Sequence, residues 1–367
     1  MLNKISIRNF KSLRNLNLEL SELNILTGLN GSGKSSFIQA LLLLRQSYNI
    51  AITEKQGLVI NGSTINLGKG KDVFYQYAAN DEKIEFEIIN NLNTYLWQFK
   101  YKNDLNILEA LQIPNNYSDI NLFNKNFQYL NTEHISPKTL HEKNEVQIEQ
   151  WNNIGNKGEY AIHYLSKYGL ERKIENKNLI HPKGKSNNLI HQIDAWLNEI
   201  SPGVKLSVTE IKDIDYIKLG IQFEDKQGYS NEYQPINVGY GITYVLPVVL
   251  SILKSKPGEI LILENPESHL HPKGQSKIGS LIAYAAQSGV QIILETHSDH
   301  IINGIRVAVK NQKIDKGNVK IFFFERFVDE NDVQTITHNI LIDKNGELND
   351  YPKGFLDEWD EQLSKLI

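Results

Sequence analysis

A glycine-rich run near the start of the chain contains the residues with the clearest chemical use. It reads Gly28-Leu29-Asn30-Gly31-Ser32-Gly33-Lys34-Ser35 and fits the phosphate-binding pattern G-x-x-x-x-G-K-[ST]. Glycines let the backbone wrap tightly, so that its N–H groups turn inward around an anion at the positive end of a helix. A chance glycine-rich turn is the alternative, but an apolar strand precedes the run and a helical pattern follows it.

This pattern also assigns roles to single side chains. Lys34 reaches the β- and γ-phosphates of a nucleotide, and the Ser35 hydroxyl completes the coordination of a magnesium ion. We therefore predict a site for ATP and Mg²⁺. The predicted nucleotide contacts in this loop are Asn30, Gly31, Ser32, Gly33, Lys34, Ser35 and Ser36.

A carboxylate that can hold the metal follows a second apolar run. Residues 260–263 read Ile-Leu-Ile-Leu, Glu264 ends the run, and Glu267 follows in the next turn. Glu264 would bind magnesium directly or through water, and Glu267 could polarise the attacking water. A solvated acidic turn is the alternative.

Three histidines lie close to these strands. His297 follows another buried run, residues 291–294, where its ring nitrogen could donate to a γ-phosphate without carrying a permanent charge. A purely structural histidine is the alternative there. His269 and His271 have no evident third partner, so we interpret them as loop residues rather than metal ligands.

Two glycines precede the apolar helix predicted over residues 242–253. Gly239 and Gly241 stand in Asn237-Val238-Gly239-Tyr240-Gly241, and small residues at a helix start again suit an anion. A lone G-x-G is weak evidence by itself. Its position before the acidic strand makes it a candidate second nucleotide contact.

Composition excludes several classes of function. The chain has 367 residues, 40% of them hydrophobic and 22% charged, which is typical of a globular protein with two domains, or with one large core and an insertion. It has no cysteine, which excludes disulfides, zinc–thiolate sites and thiol catalysis. A net charge of -4 provides no general attraction to nucleic acid, although 39 Lys and Arg leave room for a local basic patch.

The apolar runs are short. Residues 40–44 and 244–250 are the longest, well below the ~20 residues of a membrane-spanning helix, and the N-terminus lacks the layout of a signal peptide. We therefore expect a cytoplasmic protein with no membrane partner.

The elements that position these motifs divide the chain into three stretches. Residues 1–100 show short alternating strands around the glycine loop and its helix, and residues 231–367 alternate buried strands with helices. Such alternation predicts an α/β fold with a largely parallel sheet covered on both faces. Residues 101–230, rich in Asn and Lys, predict an inserted or lid region with helices at 159–168 and 188–200.

Together these motifs resemble the heads of ABC-type ATPases, in the branch that contains the SMC-like and overcoming-lysogenization-defect (OLD) ATPases. The resemblance implies a P-loop head with an antiparallel β subdomain, a mostly parallel core sheet and a mainly helical insertion. The segments that carry it are residues 7–13 (start of the head), 28–35 (Walker A), 237–241 (signature loop), 263–267 (Walker B), 268–272 (D-loop) and 296–298 (switch histidine).

The C-terminal segment 352–360 and the run at 155–159 are similar to a smaller bacterial group of AAA-labelled ATPases with an uncharacterised C-terminal domain. Members of that group commonly lie beside partner genes in phage-defence or mobile-element neighbourhoods. This similarity implies a role in anti-phage defence together with an effector protein encoded nearby.

The chain also departs from its relatives. Its signature loop is not Leu-Ser-Gly-Gly-Gln, which argues against a transport engine, and Asn265 stands where many relatives have a second acid. That difference leaves the identity of the catalytic base open and implies slow hydrolysis. We expect neither the long coiled coil of the SMC proteins nor the Toprim nuclease domain of the OLD proteins.

By resemblance, the expected mechanism is a composite site in a head-to-tail homodimer or higher oligomer. Gly239 and Gly241 of one subunit would close over ATP on the loop of the other. We expect an ATP-driven switch that regulates a partner effector. A DNA-binding repair or maintenance ATPase, and an ATPase with its own nuclease activity, stay open as alternatives.

Overall fold

The computed structural model describes residues 1–51, 57–78, 81–91, 93–211, 214–226, 228–330 and 332–366. The chain forms two compact units. Unit 1 comprises Met1–Asn124, Val319–Ile342 and Leu348–Ile367, and unit 2 comprises Lys125–Asn318 and Asp343–Glu347. The predicted division into a head (1–100 and 231–367) and an insertion (101–230) rests on composition and stays a prediction.

Strands and helices of the described residues are numbered in chain order. The strands are β1 (Lys4–Phe10), β2 (Leu13–Glu19), β3 (Leu23–Gly28), β4 (Gly57–Val59), β5 (Lys83–Asn90), β6 (Asn93–Lys100), β7 (Ile107–Gln112), β8 (Gln128–Leu130), β9 (Leu140–Glu142), β10 (Val204–Ile211), β11 (Tyr216–Asp225), β12 (Gly228–Tyr229), β13 (Ile260–Glu264), β14 (Gln291–Glu295), β15 (Val319–Asp329) and β16 (Asp332–Ile340). The helices are α1 (Lys34–Ala51), α2 (Gly70–Val73), α3 (Ala161–Tyr168), α4 (Leu189–Ile200), α5 (Tyr240–Lys254), α6 (Pro272–Gln287), α7 (Asp299–Lys310) and α8 (Glu358–Ser364). None of these helices is both long enough and apolar enough to cross a membrane.

An antiparallel sheet with the order β2-β1-β5-β6-β7-β4 lies in unit 1. Strand β5 shows why this sequence forms it, because polar and apolar residues alternate over residues 83–88 and every second side chain of the strand is buried. Phe86 on β5 packs edge-on against Phe10, with ring centroids 5.6 Å apart. The predicted antiparallel subdomain is therefore confirmed.

Unit 1 also contains three strands that support the glycine loop. Strand β3 is buried along its whole length and runs parallel to β15, while β16 pairs antiparallel with β15. Helix α1 follows the loop and buries Phe37, Ile38 and Leu41. This strand–loop–helix unit is the one that the sequence predicts, and α1 continues to Ala51.

Three parallel strands form the corresponding part of unit 2, in the order β14-β13-β8. Strands β13 and β14 are short apolar runs, as expected for strands covered on both faces. The predicted helices α3 and α4 are present. Strands β7 to β12 lie in the same 101–230 stretch, so the expected description "mainly helical" covers only part of it.

Helices α6 and α7 of unit 2 pack backbone to backbone through two glycines. A β-carbon at Gly304 would lie 2.2 Å from the carbonyl oxygen of Ser276, and one at Gly279 would lie 2.3 Å from that of Ile301. We expect Gly304→Ala to lower the free energy of unfolding by about 2 kcal/mol, because backbone atoms must separate to admit the methyl group. The higher helix propensity of alanine offsets at most about 1 kcal/mol of this loss.

Denaturant titration measures the effect, with Gly317→Ala as the matched control. A β-carbon at Gly317 meets nothing within 4 Å among the described residues. Equal unfolding midpoints for the two variants would show that the helices can separate at little cost.

Candidate functional site

The glycine loop in unit 1 has a backbone conformation that requires glycine. Gly28, Gly31 and Gly33 have φ angles of 132°, 74° and 106°, in a region that side chains disfavour. At Gly28 there is also no room, since a β-carbon would lie 2.2 Å from the carbonyl oxygen of Phe324 on β15. The loop therefore follows its tight path because of these glycines.

Lys34 is the first residue of α1, and its side chain folds back over the loop. It is only 3% exposed, and its Nζ donates to the carbonyl oxygens of Gly28 at 2.8 Å and Leu29 at 3.0 Å. The ammonium group is thus held beside the loop backbone. A cation in this position can attract a phosphate that the loop encloses.

The other loop residues predicted to contact the nucleotide differ in solvent exposure. Asn30, Gly31 and Ser35 are exposed, and Ser36 is half-buried. Ser32 is buried, and its Oγ has no hydrogen-bond partner among the described residues. A buried hydroxyl of this kind is expected to find a partner, which a phosphate oxygen would supply.

Glu264 ends β13 in unit 2, and side chains from a neighbouring segment hold its carboxylate. The Tyr129 hydroxyl donates to Oε1 at 3.2 Å, and the Thr132 hydroxyl donates to Oε2 at 3.2 Å. Burial raises the pKa of Glu264, and these hydrogen bonds oppose the rise because they stabilise the charged form. The carboxylate is thereby fixed in orientation.

Sequence reasoning missed both partners of Glu264. Tyr129 and Thr132 lie in and just after β8, which pairs parallel with β13 so that Tyr129 stands beside Ile262. Strand β8 has three residues and lies more than a hundred positions before Glu264, so no local pattern links the two strands.

Glu267 and His297 are brought together in unit 2. The backbone N–H of His297 donates to Glu267 Oε1 at 2.9 Å. The other oxygen, Oε2, is buried and has no hydrogen-bond partner among the described residues. Burial raises the pKa of Glu267, while the bond from His297 opposes the rise.

The geometry around Glu267 therefore differs from that around Glu264. One oxygen of Glu267 is anchored, and the other is buried with no hydrogen-bond partner among the described residues, which a bound water would supply. A carboxylate with a raised pKa is also a stronger base than an ordinary one. The imidazole of His297 is exposed, in reach of solvent.

Asn265 and the nearby histidines shape the turn after β13. Asn265 has a φ of 46°, its N–H donates to the carbonyl oxygen of Glu295 at 2.9 Å, and its Oδ1 has no partner among the described residues. His271 caps α6, because its Nδ1 accepts from the N–H of Lys273. His269 packs against Tyr244, with ring centroids 4.5 Å apart.

Within the described ranges no group of three or more His, Asp or Glu side chains is placed to hold a metal ion.

Gly239 and Gly241 lie at the start of α5, where Gly239 precedes the first residue of the helix. Gly239 is exposed, and a β-carbon there would meet nothing within 4 Å among the described residues. Gly241 faces inward, since its β-carbon would lie 2.8 Å from the carbonyl oxygen of His269. Both glycines border a cavity of about 250 Å³ that Leu270 also lines.

The donor sets suit a nucleoside triphosphate and magnesium. Ser32 offers a buried hydroxyl with no hydrogen-bond partner among the described residues, and Lys34 offers an ammonium group held at the same loop; both groups suit phosphate oxygens. Ser35 and Glu264 offer oxygen atoms, the donors that magnesium prefers. When bound, magnesium would neutralise charge on the phosphates.

Solved structures with a similar fold are SMC heads. The chain is similar to an SMC head solved with the C-terminal winged-helix domain of ScpA (TM-score 0.54, 14% identity, 92% of this chain and 98% of that one). It is also similar to the Smc head from Pyrococcus furiosus solved with the C-terminal domain of ScpA (TM-score 0.50, 12% identity, 100% of this chain and 99% of that one). At these identities the similarity shows the fold, and the predicted α/β P-loop head is confirmed.

A curated relative is the energy-coupling factor transporter ATP-binding protein EcfA of Methanosphaera stadtmanae. It is 31% identical over 129 residues, which is 32% of this chain. The matched part of the chain spans 46% of the relative's length, slightly less than half.

Two family models match successive parts of the chain. Residues 314–366 match a family described as "Protein of unknown function (DUF3696)". Residues 23–303 match a family of ATPases described as "AAA domain, putative AbiEii toxin, Type IV TA system". This second match spans the glycine loop, both acids and His297, and most of the chain. The protein is thus a P-loop ATPase of the AAA type, and it belongs to this AAA family.

Proposed function

We propose that this ATPase is a molecular switch that binds ATP with magnesium, dimerises around it, and regulates a partner effector. The observation that carries the proposal is the carboxylate of Glu267. One of its oxygens is anchored by the N–H of His297, and the other is buried without a partner among the described residues. That arrangement suits an acid that must take a proton from water.

Nucleotide binding is assigned to the loop residues 30–36. Backbone amides of the loop, the Ser32 hydroxyl and the Lys34 ammonium hold the phosphates. Ser35 and Glu264 supply oxygen ligands to magnesium. Tyr129 and Thr132 support this assignment, because they fix the Glu264 carboxylate before any metal arrives.

Hydrolysis is assigned to Glu267 and His297. Glu267 accepts a proton from the attacking water, and its raised pKa favours this role. His297 stabilises charge on the γ-phosphate through its exposed ring. Because Asn265 replaces a second acid, Glu267 is the acid that we assign as the base.

Dimerisation is assigned to the surface around Gly239 and Gly241. Gly239 is open to solvent, and Tyr240 beside it is 57% exposed. In our proposal this surface of one subunit closes over the nucleotide of the other, so that ATP links the subunits and hydrolysis releases them. The free energy that drives dimerisation then comes from the binding of ATP at a site that two subunits share.

The proposal also includes a partner effector. Both similar SMC heads were solved with a domain of ScpA, so heads of this fold bind other proteins. The family description also refers to a toxin–antitoxin system, an arrangement with two components. We extend this to an effector encoded nearby, in anti-phage defence.

The test is the mass of the particle in solution with and without nucleotide. We expect a Glu267→Gln protein with ATP and magnesium to elute at twice the mass of one chain, because binding occurs and hydrolysis does not. The same protein with ADP, and a Lys34→Ala protein with ATP, should elute as the smaller species. Light scattering after gel filtration measures all three, and an unchanged mass in every state would contradict the proposed switch.

A further inference from the structure

A residue in the C-terminal part of the chain holds the glycine loop. Thr335 lies on β16, is 6% exposed, and places its Oγ1 2.8 Å from the carbonyl oxygen of Ser32. The same Oγ1 lies 2.8 Å from the Oγ of Ser12. The N–H of Thr335 also donates to the carbonyl oxygen of Ser12 at 2.8 Å. All three residues belong to unit 1.

The chemistry of these groups fixes the direction of the hydrogen bonds. A threonine hydroxyl has one proton to donate and can accept from others. The carbonyl oxygen of Ser32 can only accept, so the proton of Thr335 points to Ser32. The hydroxyl of Ser12 must then donate to Thr335, which gives a chain that runs from Ser12 through Thr335 to the loop.

This chain sets the orientation of one peptide plane in the loop. A trans peptide is planar, and its C=O and N–H point in opposite directions. Because the carbonyl oxygen of Ser32 is bound to Thr335, the N–H of Gly33 is directed away from Thr335. That amide belongs to the loop backbone that would enclose a phosphate.

Gly33 also leaves the space that Thr335 occupies. A β-carbon at Gly33 would lie 2.2 Å from Thr335 Oγ1 and 3.0 Å from Ser12 Oγ. The hydroxyl group thus fills the position of the missing side chain. Gly33, Ser12 and Thr335 form one packed contact rather than a chance approach.

The strand that carries Thr335 is fixed to the rest of unit 1. Asp332, at the start of β16, accepts from Arg14 on β2 at 2.7 Å and from the hydroxyl of Tyr75. A second contact lies further along the chain, where a β-carbon at Gly354 would lie 3.7 Å from the Leu29 side chain of the loop. The C-terminal segment therefore reaches the glycine loop at two places.

We propose that Thr335 is a positioning residue, which keeps the glycine loop in a phosphate-ready shape through its hydroxyl group. This inference rests on the proposed nucleotide site of the loop. It also couples the region matched as a family of unknown function, residues 314–366, to nucleotide binding. A displacement of β16 would release the Ser32 carbonyl and change the affinity for ATP.

The experiment compares Thr335→Val, which removes the hydroxyl at nearly constant shape, with Thr335→Ser, which retains it. Thr337→Val makes the same change two residues along the strand, where the described residues show no side-chain hydrogen bond. Amide hydrogen exchange over residues 28–36 is measured without nucleotide. Binding of a fluorescent ATP analogue and the kcat and KM for ATP are measured in parallel.

We expect Thr335→Val to exchange faster in the loop and to bind the analogue about tenfold more weakly, since one buried hydrogen bond to the loop is lost. KM should rise more than kcat falls, and Thr335→Ser should restore wild-type values. Equal exchange and affinity in Thr335→Val and Thr337→Val would overturn the inference. Failure of the wild-type protein to bind the analogue would instead overturn the proposed function of the loop.

Discussion

Replacing Lys34 with alanine is expected to abolish ATP turnover, with a fall in rate of at least about 10²-fold. The ammonium group is held over the loop by the carbonyl oxygens of Gly28 and Leu29. A cation in that place stabilises charge on the β- and γ-phosphates, and the loop backbone cannot replace it. Affinity for ATP should fall as well, because the same charge attracts the bound nucleotide.

The fold should survive this substitution. The loop keeps its glycine conformations, and the N–H of Ser32 still donates to the carbonyl oxygen of Leu29. We expect a loss of about 2 kcal/mol in the free energy of unfolding, about 1 kcal/mol for each of the two hydrogen bonds that Lys34 donates. Circular dichroism and thermal unfolding check this point.

Lys71→Ala is the matched control for the turnover assay. Lys71 is an exposed lysine near the start of α2, in the same unit as Lys34. The Lys71→Ala substitution removes one positive charge outside the glycine loop, so the ATP turnover of this variant should equal that of the wild type. Undiminished turnover in Lys34→Ala, with phosphate release as the readout, would refute the assignment of the nucleotide site.

Local sequence patterns predicted the glycine loop and its supports. The residues that shape the loop are consecutive, the segment that becomes β3 is mostly apolar, and the run that becomes β13 is short and continuous. Glu264 directly follows the apolar run 260–263, so its place at the end of β13 could be predicted from the order of residues. Such features need only neighbouring positions, and single-sequence reasoning detects them.

The partners of these residues could not be predicted in this way. Tyr129 lies 135 positions before Glu264, and Thr335 lies 303 positions after Ser32. Each contact depends on which strands pair, and a short strand such as β8 leaves no periodic signal. The hydroxyl of Thr335 is one of many in the chain, and only the fold singles it out.

The strands β10 and β11 were missed for a different reason. They pair antiparallel over eight residues, yet they lie in a stretch whose Asn and Lys content favours loops. Tertiary pairing overrides such composition, because β propensity depends on neighbouring strands. The two predicted helices of that stretch, α3 and α4, have clear apolar faces and were predicted correctly.

Replacing Glu267 with glutamine should slow hydrolysis by about 10²- to 10⁴-fold while ATP binding persists. The amide oxygen of glutamine can still accept from the N–H of His297, so the turn keeps its shape. The amide nitrogen would then take the place of Oε2, which is buried and without a partner among the described residues. An amide cannot accept a proton from water, and the rate falls for that reason.

Glu264→Gln should act differently. This carboxylate is held by Tyr129 and Thr132, and we assign it to magnesium. The change should raise the magnesium concentration needed for half-maximal rate and lower the maximal rate less than Glu267→Gln does. Glu175→Gln, on an exposed loop of unit 2, is the control for both. If neither variant alters the rate, both acids have been assigned wrongly.

The pH dependence of the hydrolysis rate further separates the role of Glu267 as the base from that of Glu264 as the magnesium ligand. Hydrolysis needs the ionised form of Glu267, and burial raises its pKa above the ordinary value of about 4.3. As pH falls through this raised pKa the carboxylate takes up a proton, so the rate should fall at a higher pH than an exposed glutamate would cause. In Glu267→Gln the residual rate should lose that acid limb, because no group at position 267 titrates. Steady-state rates at saturating ATP and magnesium, from neutral pH downward, measure the limb. An identical limb in the variant would assign the titrating base to another residue.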